Sequence, residues 1–84
     1  MRVVILGAGI VGRGIAEFLC MERHSVTVVE SNVERAHEIK EDLDVRVVVG
    51  SASQSTTLRE AEVSGADLVM AVTGEEEVNI LAAS

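Results

Sequence analysis

Four short apolar runs alternate with longer amphipathic stretches along the 84-residue chain. The runs read "RVVIL" (2–6), "VTVVE" (26–30), "VRVVVG" (45–50) and "DLVMAVT" (67–73). Each run is rich in β-branched residues and too short for a typical helix, which is the pattern of a strand buried on both faces. We therefore predict four strands, each followed by a helix.

The stretches between the runs carry apolar residues at helical spacing. We predict a first helix over residues 10–22 and a second that begins after the N-cap residues Ser31 and Asn32. A short third helix is predicted over 57–63, and a fourth begins at Gly74, where three acids follow. The predicted apolar stripes are Val11, Ile15, Phe18 and Leu19 on the first helix and Val33, Ala36, Ile39 and Leu43 on the second.

The resulting order, βαβαβαβα, predicts an α/β fold with a parallel sheet and right-handed crossovers. The composition does not change along the chain, and no linker or repeat interrupts it. We therefore predict one domain over residues 1–84.

Composition and charge exclude several classes of function. Almost half of the residues are apolar, which indicates a globular chain, whereas Phe18 is the one aromatic residue and the net charge is −7. A nucleic-acid surface, which needs basic and stacking side chains, is therefore not expected. One cysteine cannot form an internal disulfide, and no apolar run approaches the ~20 residues of a membrane helix. We expect a cytoplasmic protein that can serve a membrane protein as a separate subunit.

The stretch "VVILGAGIVGRG" contains the spacing G-x-G-x-x-G at Gly7, Gly9 and Gly12. The motif follows a predicted strand and opens a predicted helix, the context in which such a loop binds a pyrophosphate. Gly7 would permit the tight turn, Gly9 would let a phosphate approach the backbone, and Gly12 would allow close packing of helix on strand. The phosphates would then meet free N–H groups at the positive end of the helix.

An acid at the end of the second predicted strand supports the same interpretation. Glu30 lies eighteen residues after Gly12, close to the usual offset of about 20 for the residue that binds the ribose hydroxyls. A carboxylate there repels a 2′-phosphate, so NAD(H) or an adenine nucleotide is expected over NADP(H). The alternative is that the glycines only shape a tight turn and that Glu30 is a surface acid.

Other polar residues give weaker signals. His24 and His37 are expected on the surface, since neither has a cysteine or second histidine at metal-ligand spacing. Cys20 is interpreted as a small buried apolar residue of the first helix. Ser51 and Ser53 follow the third strand, at the edge where ligands of open α/β sheets bind. No catalytic residue and no metal site is predicted.

The whole chain resembles the N-terminal domain of the RCK/KTN family, cytoplasmic gating modules of potassium channels and transporters. Within that family it is most similar to the TrkA-N domains of Trk-type potassium uptake systems. The resemblance rests on the combination of "VVILGAGIVGRGIAEFL", "VTVVESNVERAHEI", "DVRVVVGSASQSTTLREA" and "GADLVMAVTGEEEVNILAA". Departures are Ser51, where the family usually has Asp, and Glu62, where it usually has Gly.

The resemblance implies a set of ligand-binding positions. The phosphates would lie on the glycine loop and the ribose at Glu30. The adenine would lie beside the segment after the third strand, and the end of the fourth strand would face the bound nucleotide. Glu76 and Asn79 match polar positions near the ligand or a dimer partner. The predicted cofactor-binding residues are Gly7, Ala8, Gly9, Ile10, Val11, Gly12, Glu30, Ser31, Ser51, Ala52, Ser53, Thr73 and Gly74.

The resemblance also implies that the chain holds half of a Rossmann-like domain, with strand order 3-2-1-4. Residues 67–73 would then form a strand with one open edge, which is an association hazard. We expect a symmetric or swapped dimer that covers this strand and the last helix. The alternative is that Ser84 is the end of a fragment of a longer protein.

Three functions are compatible with these features. The first is a regulatory module of a potassium uptake or channel system that binds NAD(H) or ATP/ADP and gates a membrane partner by changing shape. The second is the N-terminal half of an NAD-dependent dehydrogenase. The third is a remnant of the fold that binds no nucleotide well.

Overall fold

Strands and helices alternate along most of the chain in the order that the apolar runs predict. The computed structural model describes residues 1–73 and 77–83. Its elements are β1 (Arg2–Leu6), α1 (Ile10–Met21), β2 (Ser25–Glu30), α2 (Val33–Asp42), β3 (Arg46–Val49), α3 (Ser55–Glu60), a 3₁₀ turn (Val63–Gly65), β4 (Leu68–Thr73) and β5 (Glu77–Ala83).

The strands form one sheet in the order β3-β2-β1-β4-β5. The first four strands are parallel, with Val3 of β1 aligned with Val26 of β2 on one side and Leu68 of β4 on the other. The predicted order 3-2-1-4 and the Rossmann-like α/β class are thus confirmed. The carboxyl ends of these strands lie at one edge of the sheet, where the chain turns into α1 and α2.

The predicted fourth helix is wrong for the described residues at the end of the chain. Residues 77–83 form a strand, not a helix, and β5 pairs antiparallel with β4. Val78 and Ile80 are β-branched and alternate with Asn79 and Leu81, which suits a strand, and pairing satisfies backbone groups that β4 would otherwise leave open. The free edge on this side therefore belongs to β5, and β4 has no open edge for a dimer partner to cover. Asn79 lies in β5 opposite Ala71.

Helices cover the sheet on both faces, which gives three layers. On one face, Ile5, Val28 and Val72 pack with Ala16 of α1 and Ile39 of α2. On the other face, alternate residues of the same strands pack against α3 and the 3₁₀ turn; the buried members of this cluster are Val4, Leu6, Val29, Val48, Ala61, Ala66 and Val69. The nearly continuous apolar runs are explained by burial on both faces.

Two residues of the predicted apolar stripes are exposed instead. Phe18 is 60% exposed and Val33 is 67% exposed. The buried face of α1 is centred on Gly12 and Ala16, and Phe18 lies about 200° around the helix from Ala16. Val33 is the first residue of α2, so the helix has not yet reached the core there.

Both α1 and α3 are followed by a left-handed residue that is not glycine. Arg23 has φ 64° and Glu62 has φ 57°. After α1, Arg23 N–H donates to the Cys20 carbonyl and His24 N–H to the Leu19 carbonyl, both at 3.0 Å, which is the Schellman pattern that normally selects glycine. Glu62, where the resemblance leads us to expect glycine, thus has a backbone conformation that favours glycine.

Arg23→Gly should stabilise the protein by about 1 kcal/mol, because glycine adopts the left-handed conformation without the Cβ penalty. Urea unfolding followed by circular dichroism measures the change. Arg23→Ala is the matched control, since it removes the same side chain but keeps Cβ. Equal stabilities for the Gly and Ala variants would contradict the interpretation.

Candidate functional site at the carboxyl edge of the sheet

The first glycine of the loop shapes the turn where β1 passes into α1. Gly7 has φ 105°, a conformation that other residues rarely adopt. Its N–H donates to the Val29 carbonyl at 2.8 Å. A Cβ at Gly7 would lie 2.5 Å from the Val72 carbonyl oxygen, so the turn also passes close to β4. Gly7 is therefore required by both the turn and the packing.

The other two glycines have different surroundings. A Cβ at Gly12 would collide with the carbonyl oxygen of Gly7, so Gly12 lets α1 approach the turn. At Gly9 no atom lies within 4 Å of the corresponding position. The first hydrogen bond of α1 runs from Arg13 N–H to the Gly9 carbonyl at 2.9 Å. The N–H groups that precede Arg13 in the first turn have no acceptor within the helix and can bind an anion.

Glu30 is buried at the end of β2, with 5% of its surface exposed. Its Oε1 accepts a hydrogen bond from Ala8 N–H at 2.9 Å, and its Oε2 accepts one from Asn32 N–H at 2.7 Å. The carboxylate thus joins the glycine loop to the start of α2. Each carboxylate oxygen offers about two acceptor sites, so one site on each remains after these bonds.

Arg35 provides the positive charge beside Glu30. Its Nη1 lies 3.7 Å from Oε1 of Glu30, and its side chain is half exposed. Its own N–H donates to Oδ1 of Asn32, which caps α2. The mixed charges of this segment predict a solvated helix face, yet Arg35 is in the first turn of α2 and reaches the carboxyl edge of the sheet. The sequence signal that could have pointed to Arg35 is its position, five residues after Glu30 and just inside the start of a helix.

These residues surround a cleft of about 430 Å³. It adjoins a smaller pocket of about 200 Å³ toward the loop after β3. Of the predicted site residues, the cleft and pocket together are lined by Gly7, Ala8, Gly9, Ile10, Glu30, Ser31, Ser51 and Ala52. Residues that line them without having been predicted are Leu6, Val29, Arg35, Gly50 and Val72.

The remaining predicted residues lie around this group. Val11 and Gly12 are in the first turn of α1 and do not line the cleft or the pocket. Thr73 ends β4 at the same edge of the sheet, and Gly74 lies outside the described residues, as does Glu76. Ser53 does not line the cleft or the pocket, but its hydroxyl lies 2.7 Å from the hydroxyl of Ser51, which lines the pocket.

Cys20 and the two histidines lie away from the cleft. Cys20 is partly buried, and its Sγ donates to the Asp44 carbonyl at 3.3 Å. Burial, with a contribution from the charge of Asp44, raises the pKa of the Cys20 thiol, which lowers the fraction of reactive thiolate. Nε2 of His37 lies 3.1 Å from Oε1 of Glu41 on the exposed side of α2. Within residues 1–73 and 77–83, no group of three potential ligands could hold a metal ion.

The helices in the described part of the chain include none that is long and apolar enough to cross a membrane.

Comparison with known families identifies the chain. The model of the TrkA-N domain matches residues 3–84. The chain belongs to the TrkA-N domain family. This finding confirms the resemblance that the glycine loop, "VVE" and "AVT" segments predict.

Related proteins share the domain over nearly the whole chain. The Trk system potassium uptake protein TrkA of Halomonas elongata and that of Vibrio alginolyticus are each 43% identical over 82 residues, which is 98% of this chain. A TrkA homologue of Pyrococcus abyssi is 40% identical over 82 residues. The chain spans 18% of the two bacterial proteins and 36% of the archaeal one.

Gly12→Ala should destabilise this TrkA-N domain by about 1–3 kcal/mol, because Cβ would press on the Gly7 carbonyl oxygen and push α1 from the sheet. Gly14→Ala is the matched control in the same helix. Nothing lies within 4 Å of its Cβ position, so alanine should stabilise the helix by about 0.5–1 kcal/mol. Chemical denaturation measures both, and shifts of the same sign would contradict the assigned packing.

Glu30→Gln should lower the free energy of unfolding by about 1–3 kcal/mol. The amide has one oxygen, so its NH₂ group would face either the buried Ala8 N–H or the partly buried Asn32 N–H and leave that donor without its acceptor. Glu34→Gln, on the exposed first turn of α2, makes the same chemical change and should have little effect. Equal unfolding midpoints for the two variants would contradict the bridging role of Glu30.

Proposed function

We propose that the chain is a regulatory nucleotide-binding module of a potassium uptake system. It binds NAD(H) or ATP/ADP, lies in the cytoplasm, and transmits its ligand state to a membrane transporter or channel subunit through a change of shape. The family and the names of the related TrkA proteins support the potassium-transport role. No reaction is proposed. One domain over residues 1–84 remains our prediction, and so does a homodimer, which now rests on the family resemblance because β5 covers the edge of β4.

The arrangement of Glu30 with the glycine loop is the observation that carries the proposal. The loop offers N–H groups at the start of α1 for phosphates, while Glu30 keeps free acceptor sites for two ribose hydroxyls. The space at Gly9 lets a phosphate approach the backbone. A ligand with adjacent phosphate and ribose groups therefore fits this cleft.

The adenine would lie in the smaller pocket between the end of β2 and the loop after β3. Ser51 and Ala52 line this pocket on one side, and Ser31 and Val72 also contribute. The buried carboxylate of Glu30 disfavours a 2′-phosphate, which supports NAD(H) over NADP(H). The same contacts suit ATP or ADP, so both classes belong to the proposal.

Titration of the purified protein with NADH, NAD, ATP, ADP and NADPH, followed by calorimetry, tests the function. We expect binding of at least one of the first four, weaker binding of NADPH, and no turnover. Gly9→Val should reduce this binding by at least ~100-fold, since the side chain would fill the space left for the phosphate. Gly14→Val is the matched control, because it adds the same side chain on the exposed face of α1.

Absence of binding by every nucleotide would overturn the proposal. Unchanged affinity in Gly9→Val would overturn the placement of the phosphates on the loop. Turnover of NADH with an added carbonyl substrate would instead favour a dehydrogenase fragment. Far-ultraviolet circular dichroism separates lost binding from lost folding in each variant.

A further inference from the structure

The position of Arg35 raises a question that the proposed function leaves open. The glycine loop itself, "GAGIVG", carries no cation, although its ligand would bring two or more negative charges. Among the described residues that line the 430 Å³ cleft, Arg35 carries the positive charge and Glu30 the negative one. Among these lining residues, Arg35 is therefore the side chain that can offset the charge of a bound phosphate group.

Arg35 lies between two parts of the cleft. It lines the main cleft with Gly9 and Ile10 of the glycine loop, and it also lines a neighbouring pocket of about 180 Å³ that shares both of these residues. Arg35 thus lines the same cavities as the start of α1, where the N–H groups are available. A phosphate held by those N–H groups would lie between the helix and a guanidinium, which binds phosphate oxygens in a bidentate manner.

The guanidinium is available for this contact. Its 3.7 Å separation from Glu30 is an ion pair longer than a hydrogen bond, and half of the side chain is exposed. Glu30 does not depend on Arg35 for its position, because Ala8 N–H and Asn32 N–H hold its two oxygens. Arg13, the other arginine near the neighbouring pocket, is paired with Asp42 at 2.6 Å.

We propose that Arg35 is a phosphate-binding and specificity-determining residue of the cleft, which selects phosphorylated adenine ligands over nucleosides. The inference rests on the proposed function, since it assigns a contact within the same site. It also implies that Arg35 exchanges its ion pair with Glu30 for one with the ligand phosphate. Glu30 would then be left to the ribose hydroxyls.

Binding of ADP and of adenosine to Arg35→Gln tests this role. ADP should bind about tenfold more weakly than to the unmodified chain, whereas adenosine, which has no phosphate, should bind equally well. NMR chemical-shift titration measures both affinities, including weak ones. Arg35→Lys keeps the charge and should recover part of the ADP affinity. Lys40→Gln removes a positive charge from the exposed side of the same helix and should leave both affinities unchanged.

Three results would overturn the role of Arg35 while leaving the proposed function in place. The first two are unchanged ADP affinity in Arg35→Gln and equal losses of affinity for ADP and adenosine. The third, seen when Arg35→Gln is also titrated with NADPH, is a loss of affinity confined to NADPH, which would place Arg35 at the ribose 2′ position. If the unmodified chain binds no adenine nucleotide, both proposals fail. Weaker dependence of ADP affinity on salt in Arg35→Gln would further support a charge contact.

Discussion

The buried carboxylate of Glu30 is the interaction on which the carboxyl edge of the sheet depends. It accepts one hydrogen bond from the turn between β1 and α1 and another from the connection between β2 and α2. Burial of a carboxylate is costly unless its oxygens are satisfied, so these two N–H groups have little freedom to move. One side chain thus fixes two connections that are more than twenty residues apart, and it does so at the floor of the cleft.

The glycine loop adds a second constraint at the same place. Gly7 and Gly12 are required because backbone atoms approach each other too closely for any side chain. Gly9 lies between them in open space and is not required by packing in the free protein. A motif of three glycines therefore combines two residues that build the fold with one whose small size the packing does not require.

Sequence patterns predicted the parts of this fold that depend on residues close together in the chain. The four parallel strands and the glycine turn follow from residues near one another in the chain, whereas the hydrogen bonds of Glu30 to Ala8 and Asn32 were not predicted. The strand at residues 77–83 could not be predicted in this way, because its reason to be extended is the open edge of β4, a tertiary effect that overrides helix propensity. Arg35 was missed for a related reason: its charge pattern is that of a solvated face, and only the packing of α2 brings it to Glu30.

A ligand in this cleft would contact both connections that Glu30 joins. Contacts with the loop would involve α1, and contacts with Arg35 or Ser31 would involve the start of α2. Where the relative position of these two helices changes the affinity for the ligand, thermodynamic linkage requires that the ligand shift that position by the same free energy. In this cleft the carboxylate of Glu30 is held by two backbone N–H groups and lies beside the guanidinium of Arg35. A ligand that contacts both helices at once meets the requirement of the proposed regulatory function, in which binding favours one arrangement over another.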